Sequence, residues 1–539
     1  KYEVADNLEV YTRGMFSKNT VKTIVAESGV FASDVTIPLS NPFLPVALRN
    51  QFCNNQDFDA ATPGIQPLTA AQCAAAAAAT NPADPNYRQF NTTLRRRAVE
   101  VGPRISEYST TMFDYRIGLK GDITDHISFD IGGAYGESEN RQTLQNYVLT
   151  SRVRQALLAT NTTTCLNDSN GCVPLNIFGA SGTITPAMIP FLTASSTTLN
   201  KTSLAQAQGV INGDVGFASP WASDPISFGI GGEFRKYSAE QASDLLAKTA
   251  GELGGAGGAA PDINGGFHVY EAFGEIVAPV IQDAPFAKSL TIEGGYRYSS
   301  YKIKAVGSPS FTTKTWKVGG TWEPVDGVKA RGNYSRAVRA PNINELFSPI
   351  STGLTNLSTD PCAGAAPTTN ADLRAICLAQ GAPAFTIGSI AQPAAGQANA
   401  SFGGNINLQP EKANSYTFGV VVQPAMLRAF SISIDYYNIK VKGAVSNALP
   451  GDAIAACFGS VSAASAGSAA CTAIRRNPTT GALDGDPATT PGLFLASSNL
   501  GLITTDGIDV VANYSFDAGP GKLALSLSGN YTMSQKSGR

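Results

Sequence analysis

Few residues in this sequence could carry chemistry, and cysteine is the most informative of them. Eight cysteines stand against only two histidines, His126 and His268. Serine and cysteine hydrolases and most zinc centres depend on imidazole, so two histidines offer them little. The cysteine spacings also lack the paired C-x-x-C pattern of a zinc knuckle. We therefore predict no catalytic residue, no metal site, no cofactor and no enzyme activity.

Three short segments resemble functional motifs only superficially. HVYEAFGE (268–275) alternates polar and apolar residues, as a strand does, so it is not a zinc-binding helix. NDSNG (167–171) has the acidic start of a calcium loop but lacks the glutamate that should follow. GIGGEF (229–234) lacks phosphate-loop spacing, and its glycines fit close packing within a sheet. None of the three changes the prediction.

Period-two alternation dominates the elements around these residues. In GKLALSLSGNYTM (521–533), leucine, tyrosine and methionine occupy one parity, and serine, asparagine and threonine occupy the other. This pattern is typical of a β-strand with one apolar and one wet face. We predict thirteen such strands, over residues 8–25, 93–120, 127–149, 199–217, 226–242, 266–280, 288–304, 309–323, 327–337, 411–424, 428–443, 501–516 and 521–535.

The connections between these strands alternate between short and long. Short links such as EPVDG (323–327) carry the Gly, Pro and Asp of tight turns. The long links are 26–92, 150–198, 243–265, 338–410 and 444–500, with a short exception near Gly307. A transmembrane barrel has this arrangement, with short periplasmic turns and long extracellular loops. We therefore predict an all-β fold, a transmembrane antiparallel β-barrel whose apolar face meets lipid.

One strand carries a break in its pattern. In FSISIDYYNIKVK (430–442) the apolar residues occupy even positions up to Tyr436 and odd positions from Tyr437 onward. A bulge at this point would reset the faces of the strand. We predict such a bulge where the strand leaves the lipid.

Composition agrees with a membrane barrel and excludes other classes. Charged residues make up 15% of the chain, below the roughly 25% of soluble domains, and the formal net charge is −2. The densest basic run is Arg95-Arg96-Arg97, so nucleic acid is not a predicted partner. No apolar run approaches the ~18 residues of a spanning helix, and the Ala-rich stretch at 71–80 is expected to be a helical turn within a loop. Because the first residue is Lys1, we expect a fragment of a longer protein.

The cysteines fit the predicted loops. All eight lie in long links, two in each of four links, and none lies in a predicted strand. Eight cysteines allow 105 pairings, but only the pairing within each loop joins residues that stay close. We predict disulfides in an oxidising compartment, with metal binding as the alternative. The predicted pairs are Cys53–Cys73, Cys165–Cys172, Cys362–Cys377 and Cys457–Cys471.

Two segments resemble the barrel of TonB-dependent outer-membrane receptors. They are RGNYSRAVRAPNINELFSP (331–349) and NINLQPEKANSYTFGVVVQP (405–424). In that family a strand ending in R-x-x-R-A-P-x-x-x-E-L-F/Y precedes an extracellular loop, and the next strand opens with L-x-P-E-K-x-x-x-Y-x-x-G. The matching residues here are Ser335, Arg336, Arg339, Ala340, Pro341, Asn342, Glu345, Leu346, Phe347, Leu408, Pro410, Glu411, Lys412, Tyr416 and Gly419. Weaker echoes extend the resemblance over most of the chain.

The resemblance implies a receptor in the outer membrane of a Gram-negative bacterium. Residues 1–539 would form part of a 22-stranded barrel, without the N-terminal plug domain and the TonB box. The implied partners are the TonB energy-transducing complex, through the missing N-terminal part, and outer-membrane lipid and lipopolysaccharide. The implied ligand is scarce: a ferric siderophore, a cobalamin-like compound or an oligosaccharide.

The candidate ligand-binding residues lie where the first motif meets its loop. They are Arg336, Arg339, Asn342, Asn344 and Glu345 at the extracellular mouth. For each of them the alternative role is to hold the strand ends rather than to touch ligand. Three other functions stay open: a passive porin-like channel, a surface adhesin or phage-receptor barrel, and, least favoured, an outer-membrane enzyme.

Overall fold

One antiparallel sheet of fourteen strands dominates the computed structural model of the protein, which describes residues 1–59, 65–305, 307 and 309–538. The strands are β1 Tyr2–Ala5, β2 Leu8–Glu27, β3 Gly29–Pro38, β4 Gln89–Arg97, β5 Pro103–Thr124, β6 Ile127–Val148, β7 Thr193–Ala218, β8 Pro225–Ser243, β9 Ile263–Ala284, β10 Ala287–Ile303, β11 Ser310–Val325, β12 Val328–Arg339, β13 Ser351–Asn356, β14 Gln397–Phe402, β15 Glu411–Val422, β16 Phe430–Asn447, β17 Leu493–Phe494, β18 Ser497–Ala518 and β19 Gly521–Gly538. The large sheet has the order β1, β2, β5 to β12, β15, β16, β18, β19, and its two end strands do not pair with each other.

The helices are short and lie between the strands of the large sheet. They are α1 Val46–Asn55, α2 Ala70–Ala78, α3 Thr150–Leu157, α4 Ile189–Leu192, α5 Leu245–Lys248, α6 Ile343–Phe347, α7 Ala366–Thr369, α8 Ala371–Ala379, α9 Pro450–Phe458 and α10 Ala469–Thr472. Within the described ranges, no helix combines the length and the apolar character that a membrane crossing requires. Helix α2 is the Ala-rich segment that the sequence places within a loop.

The two faces of the large sheet differ in polarity, as the alternation predicts. On β5, Phe113, Tyr115 and Ile117 are 39%, 51% and 51% exposed on one face, while Asp114 and Arg116 lie on the other. An apolar face of this extent fits lipid and not water. We call it the outward face and the polar face the inward face. The fold class is thus confirmed, and a total of 22 strands in the parent protein stays a prediction.

Five long loops leave the same end of the sheet. We call them loop 1 (28–102), loop 2 (149–192), loop 3 (244–262), loop 4 (340–410) and loop 5 (448–496). Tight turns occupy the opposite end, as at Gly327, whose φ of +81° suits a residue without Cβ. The alternation of short and long connections is therefore confirmed.

The loops are folded units with cores of their own. Loops 1 and 2 share a buried cluster that includes Ile37 and Leu157, and loops 4 and 5 share one that includes Ile376 and Leu483. All four predicted disulfides are confirmed. Their Cα–Cα distances are 5.9 Å for Cys53–Cys73, 6.0 Å for Cys165–Cys172, 5.9 Å for Cys362–Cys377 and 4.7 Å for Cys457–Cys471.

The predicted strand over 93–120 is wrong, because two elements divide it. Residues Gln89–Arg97 pair with β3 in a hairpin inside loop 1, and the sheet strand begins only at Pro103. A single 3₁₀ turn at Val99–Val101 and Gly102, with φ of +82°, separate the two. The alternation of polar and apolar residues predicts a half-buried strand, but it does not show which sheet that strand joins.

The predicted bulge at Tyr436 and Tyr437 is also wrong. Both residues pair with β15 and β18 in unbroken register, and the shift comes later, between Lys442 and Ala444. The side chain of Tyr437 lies on the inward face, where its hydroxyl accepts a hydrogen bond from Asn530 at 3.1 Å. The apolar residues change from even to odd positions because those from Tyr437 onward lie on the inward face. The strand register does not change at this point.

Candidate functional site

A cavity of about 1240 Å³ lies along the inward face and extends to the base of loop 4. Its walls carry many charged side chains, among them Arg13, Asp114, Arg297 and Lys317. Asn344, at the start of loop 4, lines the same cavity. The cavity thus joins the polar inner wall to the loop end of the sheet, and we take it as the candidate ligand path.

Arg339 clamps the base of loop 4. Its Nη2 and Nε atoms donate to Glu411 at 2.6 and 2.8 Å, directly across the β12–β15 pairing. Its Nη1 and Nη2 atoms also donate to the carboxylate of Glu345 at 3.1 and 3.0 Å. Glu411 in turn accepts from the backbone N–H of Val445 at 2.6 Å. One guanidinium therefore joins two strands and a helix.

Asn342 and Glu345 start helix α6 with a reciprocal cap. The backbone N–H of Glu345 donates to Asn342 Oδ1 at 2.8 Å, and that of Asn342 donates to Glu345 Oε2 at 2.8 Å. Such a capping box satisfies two backbone donors that the helix leaves free. Asn344 is exposed within α6, so of these predicted residues it is the one best placed to meet a ligand.

Arg336 contributes to the lining of the cavity, but its side chain does not join the contacts that Arg339, Asn342 and Glu345 share. Arg336 lies opposite Asn414 and Trp316, in the same parity as Tyr334, so its side chain belongs to the outward face. There its Nε atom donates to Asn414 Oδ1 at 3.1 Å. Because strand residues alternate between faces, a spacing of three separates Arg336 from Arg339. The R-x-x-R pattern therefore does not form one binding surface.

A second charged cluster lies deeper on the inward face, around Glu271. This carboxylate is 3% exposed and accepts from Arg235 at 2.6 Å, Arg297 at 3.0 Å and Ser299 Oγ at 2.6 Å. The guanidinium of Arg297 also lies over the ring of Phe273, 4.4 Å from its centroid. Since each charge has a partner, the cluster holds the wall of the cavity in a fixed arrangement.

A third ion pair depends on a glycine of the second motif. Arg331 donates to both carboxylate oxygens of Asp435, at 2.7 and 2.6 Å, across the intervening strand β15. Gly419 is the β15 residue that lies between them in register. A Cβ atom at this position would stand 1.8 Å from Asp435 Oδ1. The glycine therefore allows the bidentate pair to form.

Buried polar contacts order the loops above the cavity. In loops 4 and 5, Arg476 donates to Asp360 at 2.6 and 2.8 Å, and both side chains are fully buried. Arg154 of loop 2 contacts Asp486 of loop 5, so the two loop units touch. The loops therefore pack against one another above the cavity instead of projecting from the sheet separately.

Loop 1 is attached to loop 2 through Glu100. Its carboxylate accepts from the backbone N–H of Gly182 at 2.6 Å and from Arg96 at 3.1 Å. Burial would raise the pKa of Glu100, but backbone hydrogen bonds and the Arg96 guanidinium outweigh it and lower the pKa below its ordinary value. The folded loop therefore stabilises the charged form of the Glu100 carboxylate.

Charged side chains of the inward face are held in ion pairs. Across the described residues, no group of three or more His, Cys, Asp or Glu side chains stands together as a metal site would require. Glu271, Arg235 and Arg297 were not among the residues predicted from sequence to line a site. The sequence gives part of their signal, because charged residues at the wet parity of adjacent predicted strands share the inner wall, but which of them meet depends on strand register.

Comparison with known proteins adds a family match. The profile of the family described as "TonB dependent receptor-like, beta-barrel" matches residues 56–538. No curated protein sequence matches the chain. Among solved structures, the chain is similar to a mutant of the ferric enterobactin receptor PfeA from Pseudomonas aeruginosa, at 12% identity and a TM-score of 0.43, covering 80% of this chain and 48% of that one.

Two further solved structures are similar at the same level. The siderophore receptor PirA from Acinetobacter baumannii has 13% identity and a TM-score of 0.39, covering 83% of this chain and 56% of that one. The Serratia marcescens hemophore receptor HasR, solved as a double mutant with its hemophore HasA and heme, has 14% identity and a TM-score of 0.35, covering 80% and 54%. The chain therefore spans about half the length of these proteins.

Proposed function

Because the chain belongs to the TonB dependent receptor-like β-barrel family, we propose that it is the barrel part of a receptor for energised uptake of a scarce ligand. The family consists of outer-membrane transport proteins of Gram-negative bacteria, and this chain lies in that membrane. In the proposal, a plug domain and a TonB box lie in a part of the parent protein outside this sequence. Through that part the receptor would engage the TonB complex of the inner membrane.

The observation that carries the proposal is the charged cavity on the inward face below the packed loops. Its wall is held by paired charges, as at Glu271, while Asn344 leaves its amide at the mouth. A wall of satisfied ion pairs is rigid but still polar, so a hydrated ligand can pass along it. The loops above would bind the ligand first.

The proposed ligand is a siderophore, a cobalamin-like compound or an oligosaccharide. Asn342 and Asn344 offer amide groups at the mouth, and we assign the first contact within the cavity, after the loops, to Asn344. Arg339 and Glu345 would act indirectly, by fixing helix α6, which Asn342 caps and which contains Asn344. Arg336 is not proposed as a ligand contact, since it lies on the outward face.

Uptake by the full-length parent protein tests this proposal. Cells that carry it are given labelled ferric siderophores, a cobalamin and oligosaccharides, with and without a protonophore. We expect uptake of one class that the protonophore abolishes, because TonB coupling draws on the proton-motive force. Uptake that survives the protonophore would indicate a passive channel, and binding without uptake would indicate an adhesin or phage receptor.

A further inference from the structure

The β3–β4 hairpin of loop 1 has a strand edge with no neighbour. In the described part of the chain, β4 pairs with β3 alone, so its other side is open. At the two ends of the hairpin, the Leu39 N–H donates to the Arg88 carbonyl at 3.0 Å and the Ala98 N–H donates to the Ser28 carbonyl at 2.8 Å. Because bonded pairs alternate in an antiparallel ladder, the even-numbered residues of β4 face β3. The odd-numbered residues turn their N–H and C=O groups to the other side, which we call the open edge.

Side chains do not cover the open edge. Within the described ranges, no backbone hydrogen bond from outside the β3–β4 ladder reaches Asn91, Thr93 or Arg95. The side chains of Asn91 and Thr93 bond to β3 instead. Asn91 Oδ1 accepts from Thr36 Oγ1 at 2.7 Å, and Thr93 Oγ1 donates to Asp34 Oδ1 at 3.1 Å. All odd-numbered residues of β4 are exposed, so a row of backbone donors and acceptors stays free.

Most of β4 also lacks the features that keep edge strands from pairing. Its first six residues, QFNTTL (89–94), contain no proline, glycine or charge and pair with β3 in unbroken register. Proteins usually protect a long edge strand with charges, prolines or bulges, or cover it with another element. The opposite edge of the hairpin is covered at Asp34, whose backbone carbonyl accepts from Arg154 of loop 2 at 2.9 Å. The open edge of β4 is therefore the side of the hairpin that can accept another strand.

Charge at one end of the open edge indicates which strand would fit. β4 contains three arginines and no acidic residue. The side chain of Arg95 is 60% exposed and approaches Asp484 only at 4.0 Å, and that of Arg97 is 46% exposed and approaches Glu27 at 3.9 Å. Side chains directly opposite on one face of a strand pair have Cβ atoms about 4.5–5.5 Å apart. Acidic side chains of an added strand would therefore pair with these two arginines.

We propose that the open edge of β4 docks an extended, acidic segment of another protein, which adds to the hairpin as a third, antiparallel strand. In recognition of this kind, main-chain hydrogen bonds give affinity and side chains at alternate positions give specificity. Antiparallel pairing is slightly the more stable of the two directions. The inference goes beyond the proposed uptake function and does not depend on it.

Peptide binding by the purified full-length parent protein, in a neutral detergent, tests the open edge. The probe is a fluorescent peptide of about ten residues that alternates glutamate with valine. Valine is chosen because Phe90 and Leu94 make the other face of β4 apolar. A second peptide has lysine in place of glutamate. A third has N-methyl groups on the glutamate amides, which would face β4 in an antiparallel ladder. Fluorescence anisotropy gives the affinity, and residue-resolved hydrogen exchange reports on the β4 amides.

Thr93→Pro is the test variant, because it removes an N–H that faces the open edge, and edge strands tolerate proline at such positions. Thr93→Ala is its control, since it also loses the hydroxyl bond to Asp34 but keeps the N–H. Arg95→Gln tests the contribution of charge. If Thr93→Pro opens the β3–β4 ladder itself, seen as fast exchange at Val35, the comparison of the three peptides on the wild type decides.

We expect the glutamate peptide to protect the amides of Asn91, Thr93 and Arg95 in the wild type. Thr93→Pro should bind it about tenfold more weakly or worse, and Thr93→Ala should match the wild type. Arg95→Gln should reduce the preference for the glutamate peptide over the lysine peptide. Undiminished binding of the N-methylated peptide, or equal affinities of the two Thr93 variants, would overturn the proposal. So would edge amides that are protected before any peptide is added, because a segment of the parent protein or a second copy of it would then cover β4.

Discussion

Arg339 lies directly opposite Glu411 in the β12–β15 pairing and binds it through two nitrogen atoms, at 2.6 and 2.8 Å. The same guanidinium binds Glu345 at the start of loop 4. Residues from both sequence motifs thus meet in one contact. Together they hold the two ends of loop 4 next to each other, and this places Asn344 at the mouth of the cavity.

We expect Arg339→Gln to loosen the base of loop 4 while leaving the sheet intact. The side chain is 46% exposed, so solvent screens the pairs and the cost should be about 1 kcal/mol. Amide hydrogen exchange at Val445 and Glu345 should accelerate several-fold. Arg336→Gln is the matched control on the outward face, and equal acceleration in both variants would contradict the clamp.

Gly419→Ala should break the Arg331–Asp435 pair. The added Cβ would stand 1.8 Å from Asp435 Oδ1, which must move away from the guanidinium. In urea unfolding we expect Gly419→Ala to destabilise the wild type but to cost far less in an Asp435→Ala background. Gly332→Ala is the control, since its Cβ would meet nothing closer than 3.8 Å. Additive effects of the two substitutions would refute the mechanism.

The sequence predicts the sheet better than the site, for physical reasons that these residues illustrate. Alternation at Phe113 and Asp114 reports the two faces directly, because strand side chains have a period of two. Within-loop disulfides follow once the long links are known. Residues 89–97 also alternate, but only the three-dimensional pairing shows that they belong to loop 1.

The candidate site was predicted less well because residues that belong to one sequence motif need not lie on one surface of the folded protein. Arg336 and Arg339 match the family pattern equally, yet strand parity sends them to opposite faces. Glu271 was missed because its partners come from the separate strands β8 and β10. Their convergence depends on register, which a single sequence leaves open.

Asp360→Asn should destabilise the unit formed by loops 4 and 5 strongly. The variant leaves the fully buried guanidinium of Arg476 without a counter-charge, and such losses cost about 3–5 kcal/mol. Limited proteolysis under non-reducing conditions should then cleave both loops far faster. Arg475→Gln is the neighbouring control at an exposed position. If the two variants resist the protease equally, the buried pair does not support these loops.

Acid should loosen the contact between loops 1 and 2 through Glu100. Its pKa in the folded protein lies below the ordinary value, so its charged form stabilises the fold above the unfolded-state pKa. That stabilisation is lost as the pH falls through the lowered pKa. Hydrogen exchange at the Gly182 amide, corrected for its intrinsic pH dependence, should therefore show less protection as the pH drops from about 7 to about 3. In Glu100→Gln this step should disappear, whereas Asp168→Asn, an exposed change in loop 2, should keep it. A protection profile that is the same in wild type and Glu100→Gln would show that another group controls the contact.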